Sequence, residues 1–238
     1  KGAEVEMIDV VANWNAVQER IRRAAERVGR SPHSVEVVAV TKGVPVELVT
    51  PLMGTGLTAV GENRIQEALP KYKMAPWSDK VEWHFIGHLQ TNKVRQCLQI
   101  ADLVHSVDRL RLIREIHRRA EALDLDRVRV LLQVNISGED TKFGLAPKEV
   151  PTLLEEAIPY DRVFVEGLMT MAPFEEEPQN ARPVFRQLRL LGEKLARRGF
   201  PRFEMKYLSM GMTNDFEVAI EEGANLVRIG SALFGQRT

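Results

Sequence analysis

The chain has 238 residues, of which 44% are apolar and 28% charged, an ordinary balance for a folded globular protein. Lys plus Arg and Asp plus Glu stand at 33 each, so no global field draws the chain to nucleic acid or to an anionic membrane. The basic clusters Arg20, Arg22, Arg23, Arg27 and Arg30, and Arg109, Arg111, Arg114, Arg118 and Arg119, alternate with acids and apolar residues, the pattern of solvated helix faces. A single cysteine, Cys97, excludes an internal disulfide and fits a reducing compartment. The apolar runs are too short to span a bilayer and none resembles a secretory leader, so a cytoplasmic location is expected.

An opening helix is expected over roughly residues 4 to 29, because Trp14, Val17, Ile21, Ala24 and Val28 recur at three- and four-residue steps. Strand and helix patterns alternate after it. Strands are expected at 35–41, 57–60, 82–86, 102–106, 128–134, 163–170, 206–209 and 225–229. Helices are expected near 46–54, 63–73, 90–98, 108–123, 147–157, 180–198 and 213–222, the fourth carrying the stripe Ile113, Ile116, Ala120 and Leu123. Eight strands separated by helices is the count of an α/β (β/α)8 TIM barrel, here with an extra N-terminal helix. A doubly wound open sheet is the competing arrangement, but no Gly-x-Gly-x-x-Gly follows the first strand. No long Ser/Gly/Pro linker interrupts the chain, so residues 1–238 are taken as one domain. The segment from Pro173 to Pro178, with Glu175, Glu176 and Glu177, is the most loop-like interior stretch.

The rim formed by the carboxyl ends of barrel strands is where active sites are built, which directs attention to the residues just past each strand. Lys42 ends the apolar run Val35–Thr41 and is followed by the turn Gly43-Val44-Pro45. It is either a solvated loop charge or an amine held for chemistry. A free lysine, with a pKa near ~10.4, is almost wholly protonated at neutral pH. Partial burial beside a cation would release the nucleophile. The last strand ends at Arg228-Ile229-Gly230-Ser231, where a permissive glycine and a serine at a helix start could cradle an anion. The preceding strand ends in Ser209-Met210-Gly211-Met212-Thr213, with two hydroxyls and a further glycine. Barrels often bind phosphate with these last two loops; a plain turn and helix cap is the alternative. Asn63, just past the second strand, could bond a ligand oxygen or cap the next helix. His84 lies mid-strand and is expected to be a satisfied core histidine. The five histidines show no metal-ligand spacing, so no metal is expected.

Five motifs, in this order and spacing, carry a resemblance over essentially the whole chain. They are Ala39-Val40-Thr41-Lys42, the run Gly61 to Glu67 (GENRIQE), the run Trp83 to Lys93 (WHFIGHLQTNK), the run Ser209 to Asp215 (SMGMTND), and Arg228-Ile229-Gly230-Ser231. With them the chain resembles the pyridoxal 5′-phosphate (PLP) homeostasis proteins, whose barrel is like the N-terminal domain of alanine racemase. The resemblance implies a PLP-binding vitamin B6 carrier in which Lys42 forms the Schiff base with the cofactor. It further implies that Ser209, Gly211, Gly230 and Ser231 hold the phosphate, that Arg228 faces the pyridine nitrogen, and that Asn63 contacts the ring side. Thr213, where serine is also usual, is expected to keep a hydroxyl in place. A fixed cation at the ring nitrogen disfavours its protonation and weakens the ring as an electron sink. Racemases of this fold take a second base from an added β domain, which a chain ending at Thr238 is expected to lack. No catalytic residue and no robust turnover are therefore expected. The implied role is intracellular PLP homeostasis by a monomer, with apo PLP-dependent enzymes as recipients. A PLP-dependent amino-acid racemase-type enzyme completed by a dimer partner is the alternative, and a barrel binding a phosphorylated sugar is a third.

Overall fold

The structure is a computed structural model and covers, as described residues, 8–139 and 143–236. It forms a closed barrel of parallel strands in sequential order: β1 (Glu36–Val40), β2 (Ala59–Glu62), β3 (Glu82–Phe85), β4 (Leu103–Val107), β5 (Val128–Gln133), β6 (Val163–Met169), β7 (Phe203–Ser209) and β8 (Leu226–Ile229). Closure joins the first strand to the last, with Val38 level with Arg228 and Ala39 with Ile229. The (β/α)8 expectation therefore holds, and the open sheet is excluded. Outside the barrel lie α1 (Val10–Arg27), α2 (Val46–Val49), α3 (Ile65–Met74), α4 (Val94–Cys97), α5 (Leu110–Ala122), α6 (Val150–Glu156), α7 (Arg182–Arg198), α8 (Phe216–Glu221) and α9 (Ser231–Phe234).

Two hydrophobic regions follow from strand alternation. One face of each strand packs outward on the helices: Val37, Ala39, Val60, Trp83, Phe85, Val104, Val227 and Ile229 join the large outer core. The other face fills the barrel with Val38, Ala59, Leu103, Leu131, Met169, Tyr207 and Leu226. On α1, Trp14, Val17, Ile21 and Ala24 are buried, and the helix lies against α8 and α9. Asn13 Nδ2 donates to Leu233 O at 2.9 Å, fastening α1 to the end of the barrel.

The differences from the sequence expectations are local. The described part of α1 begins at Val10, where the Asp9 carboxylate accepts from Ala12 N, and residues 4–7 of the expected helix lie outside the described residues. Val28 caps its other end and is exposed rather than part of the stripe. β7 begins at Phe203, not 206, because Phe203 and Met205 pack into the outer core, where Gly192 of α7 leaves room for Met205. The helix expected at 213–222 shrinks to α8, since Met212–Asp215 is spent on a turn in which Asp215 Oδ1 accepts from Met212 N.

Gly87, at the end of β3, shows how tightly the rim is built. A Cβ there would stand 2.1 Å from the Asn63 carbonyl oxygen, which is backbone and has little room to give. Gly87→Ala is expected to cost about 3 kcal/mol, as overpacking of a rigid site does. Urea unfolding will measure it; a midpoint equal to that of the parent would show that the two loops are not in this contact.

Candidate functional site

At the carboxyl ends of the strands lies a cavity of about 720 Å³, lined among others by Val40, Phe174, Met212, Arg228, Gly230 and Ser231. Phe174, on the loop after β6, is 81% exposed, and that loop is tied to the β7 loop by Asn214 Nδ2 donating to Glu175 O at 2.8 Å. The cavity therefore combines an apolar wall with a buried cation.

That cation is Arg228. Alternation on β8 places it inward, between the outward residues Val227 and Ile229, and it is 3% exposed. Its Nη1 donates to Ser209 Oγ at 2.5 Å and its Nη2 to Thr170 O at 2.9 Å. Burial pulls its pKa down to about 10, opposed by the Asp215 charge, so it stays cationic at neutral pH. Asp215 is itself pushed above the usual carboxylate range by burial, partly offset by the Met212 N–H and by Arg228.

The two last loops form one unit. Gly211 has φ +96, and a Cβ on it would lie 2.6 Å from Ala219 Cβ and 2.9 Å from Phe216 Cα, so only glycine fits between β7 and α8. Its carbonyl accepts from Arg228 N at 3.0 Å. Thr213 Oγ1 accepts from Ala232 N at 3.2 Å and so joins this loop to the start of α9. The hydroxyl expected there is thus in use. Ser231 is exposed at the cavity and Gly230 is half-buried.

Ser209 stands elsewhere. Its hydroxyl is fully buried below the cavity, between Arg228 and His105 Nδ1 at 2.8 Å, and so meets the guanidinium rather than the lining of the cavity. Lys42 lies two residues beyond Val40, the last residue of β1, and is exposed in the turn that Gly43 makes at φ +65. Asn63 lies two residues beyond Gly61, which is paired with Val40, so Asn63 and Lys42 stand at the same level of the rim. Asn63 faces a separate cavity of about 410 Å³, with Arg64, His88 and Lys93, and its buried Oδ1 has no hydrogen-bond partner. Arg228, Gly230 and Ser231 are thus brought together. Lys42 follows the strand that pairs with β8 but is not among the residues lining their cavity, and Asn63 follows the strand on the other side of β1.

Several polar groups at the site have no signal in the sequence. Lys71 of α3, 10% exposed, donates to both the Glu62 carboxylate and the Thr41 carbonyl, while Thr41 Oγ1 donates to Glu62 Oε1 at 2.6 Å. This buried ion pair clamps the peptide that leads into Lys42. Lys71→Met is expected to destabilise the protein by about 3–5 kcal/mol, because Glu62 would remain as an uncompensated buried charge. Thermal unfolding checks this: an unchanged midpoint would mean that the carboxylate is relieved in some other way. His84 is buried, as expected, with Glu82 Oε2 on Nε2 at 3.0 Å and His105 on Nδ1 at 3.0 Å.

A parallel barrel whose carboxyl-end cavity is floored by a buried arginine and closed by the last two loops is the framework of a small-molecule-binding protein. Residues 12–238 match the family described as alanine racemase, N-terminal domain. A protein of Aquifex aeolicus (strain VF5) named pyridoxal phosphate homeostasis protein is 45% identical over 221 residues, 93% of this chain and 95% of that one. PipY of Synechococcus elongatus PCC7942, solved with PLP bound, is 32% identical with a TM-score of 0.75, covering 92% of this chain and all of PipY. The chain belongs to the alanine racemase N-terminal domain family and, within it, to the pyridoxal phosphate homeostasis proteins. An alanine racemase of Clostridium difficile 630 is 15% identical with a TM-score of 0.70, a likeness of fold alone, and this chain covers 57% of its length.

Proposed function

We propose that the chain binds pyridoxal 5′-phosphate at the carboxyl rim of its barrel, carries it covalently on Lys42, and serves PLP homeostasis without robust turnover. The observation that carries this reading is Arg228, a buried cation on the floor of a cavity wide enough for a pyridine ring and its phosphate. When bound, the cofactor contributes an aldehyde that condenses reversibly with a primary amine.

The chain's own residues would divide the remaining work. Arg228, fixed by Ser209 and Thr170, presents a positive charge where the ring nitrogen would lie and keeps protons off it. Gly211, Gly230 and Ser231 would receive the phosphate in the two joined loops. Ser209 is carried over as a phosphate contact by the resemblance, but its hydroxyl serves Arg228 here, which leaves its backbone for that role. Asn63 is carried over as a ring-side contact by the resemblance; its buried amide oxygen is unsatisfied, but it faces the neighbouring cavity on the β2 side. Lys71 and Glu62 hold the Thr41 peptide from which Lys42 follows, and would so steady the amine for the cofactor. An occupant would add to the desolvation of that amine by expelling water beside it.

We assign the reaction no catalytic residue. A racemase-type enzyme stays open as a second function because the fold is shared with alanine racemase. We further place the protein in the cytoplasm as a monomer that hands PLP to apo enzymes; no described helix is long and apolar enough to cross a membrane. Incubation with PLP should give a yellow protein that keeps a borohydride-fixed adduct after denaturation. A protein that stays colourless would favour a phosphorylated ligand without an aldehyde. Conversion of L-alanine to D-alanine on a timescale of seconds would replace the carrier role by the enzymatic one.

A further inference from the structure

Phe174 is the most exposed large apolar side chain among the described residues, at 81%, and it stands on the wall of the carboxyl-end cavity. Met212, 38% exposed, lines the same cavity. Apolar surface left in water on the wall of a concave site marks a face that a ligand covers. Among the described residues no aromatic ring or guanidinium stacks on the Phe174 ring.

The loop that carries this ring is tied down on both sides of it. At its start Thr170 is fully buried. Thr170 N donates to Ser209 O at 3.0 Å, and Thr170 Oγ1 donates to Val134 O at 2.7 Å. The Thr170 carbonyl accepts from Arg228 Nη2 at 2.9 Å. Met171 packs against the barrel interior, Ala172 is buried, and the ring of Pro173 fixes its own φ. Just past Phe174, the Glu175 carbonyl accepts from Asn214 Nδ2 at 2.8 Å. Both tethers belong to the proposed cofactor site: Arg228 is its floor, and Asn214 lies on the β7 loop that lines it. The backbone is therefore held while the ring it presents has been left without protein cover.

We propose that Phe174 is the residue that binds the face of the pyridine ring, and that it thereby sets which phosphate ester the cavity keeps; this rests on the reading that PLP occupies the cavity. A phenyl side chain offers a rigid flat surface with only two torsions to fix. PLP is itself a flat aromatic ring, and offset aromatic pairs gain more than the area they bury. The hydroxyls of a sugar phosphate would find no hydrogen-bond partner on such a wall and would lose water against it. The work at the site then divides by chemistry. The last two loops take the phosphate, Arg228 the ring nitrogen, Lys42 the aldehyde and Phe174 the ring face. Arg228 also bonds the Thr170 carbonyl at the base of the Phe174 loop, so one hydrogen bond ties the cation to the segment that carries the aromatic wall.

The test compares the parent with Phe174→Ala and Phe174→Tyr. Its main probe is 4-deoxypyridoxine 5′-phosphate, the PLP analogue with a methyl group in place of the aldehyde, so that the reaction with Lys42 does not enter the affinity. Phe174→Ala should weaken binding of the analogue about 5- to 100-fold, the range for losing one aromatic stacking partner. Phe174→Tyr should bring it back to within about twofold of the parent, since the ring face is kept. Inorganic phosphate, which reaches only the loops, should bind the parent and Phe174→Ala equally. The preference for the analogue over ribose 5-phosphate should shrink in Phe174→Ala by the factor that the analogue loses. Because the ring is exposed, the melting temperature of the unliganded protein should change by no more than about 2 °C. Parent-like binding of the analogue by Phe174→Ala would overturn the assignment. So would an equal loss for inorganic phosphate, an unchanged preference over ribose 5-phosphate, or a large drop in unliganded stability, which would make the residue a structural one. A parent that binds neither PLP nor the analogue would remove the cofactor reading itself, and this assignment with it; binding by the parent that the substitution leaves intact removes Phe174 alone.

Discussion

Lys42→Ala is expected to abolish the visible absorbance of the PLP-loaded protein and to leave no borohydride-fixed adduct on the chain. The effect should be all or none, because a covalent bond to one amine cannot be partly replaced by noncovalent contacts. Lys71 is the lysine best placed to confuse the result, lying one peptide below Lys42. Its Nζ already donates to the Glu62 carboxylate and the Thr41 carbonyl, and removing it from both would leave a buried carboxylate unpaired. Peptide mapping after reduction distinguishes the two. A pyridoxyl group found on Lys71, or on any lysine other than Lys42, would refute the assignment.

Arg228→Ala is expected to weaken PLP retention by roughly 10- to 100-fold, the range of one or two charge-assisted hydrogen bonds, while the adduct on Lys42 still forms. Equilibrium dialysis gives the first quantity and borohydride trapping at saturating PLP the second. The substitution also strips the Ser209 hydroxyl and the Thr170 carbonyl of their donor, so the melting temperature should drop. Retention equal to that of the parent would take Arg228 out of the site whatever happens to stability.

The sequence foretells strands well because parallel barrel strands are buried on both faces. Val37-Val38-Ala39-Val40 and Val130-Leu131-Leu132 are near-continuous apolar runs that no surface segment resembles. It is blind where two elements settle their boundary between them. The start of β7 depends on room left by Gly192, and the start of α8 on the Asp215 side chain turning back on Met212. The rim residues are legible for the same geometric reason: strand ends are local, and a lysine, an asparagine or a serine just past one is visible in the chain. The partners those side chains bond are not. Ser209 reads as a phosphate contact by its place at a strand end, yet an inward phase on β7 sends its hydroxyl to Arg228 and His105. The Glu62–Lys71 clamp joins a strand to the following helix through atoms whose meeting no periodicity announces.

The seam between β1 and β8 has a consequence for how the protein comes to hold its ligand. Lys42 follows the first strand and Arg228 sits on the last, so the site proposed for PLP is assembled only once the cylinder has shut. Nearly the whole polypeptide must emerge from the ribosome before a PLP molecule finds both an amine and a cation. Binding should then act as a latch on that closure, raising the melting temperature with free ligand concentration in the manner of mass action.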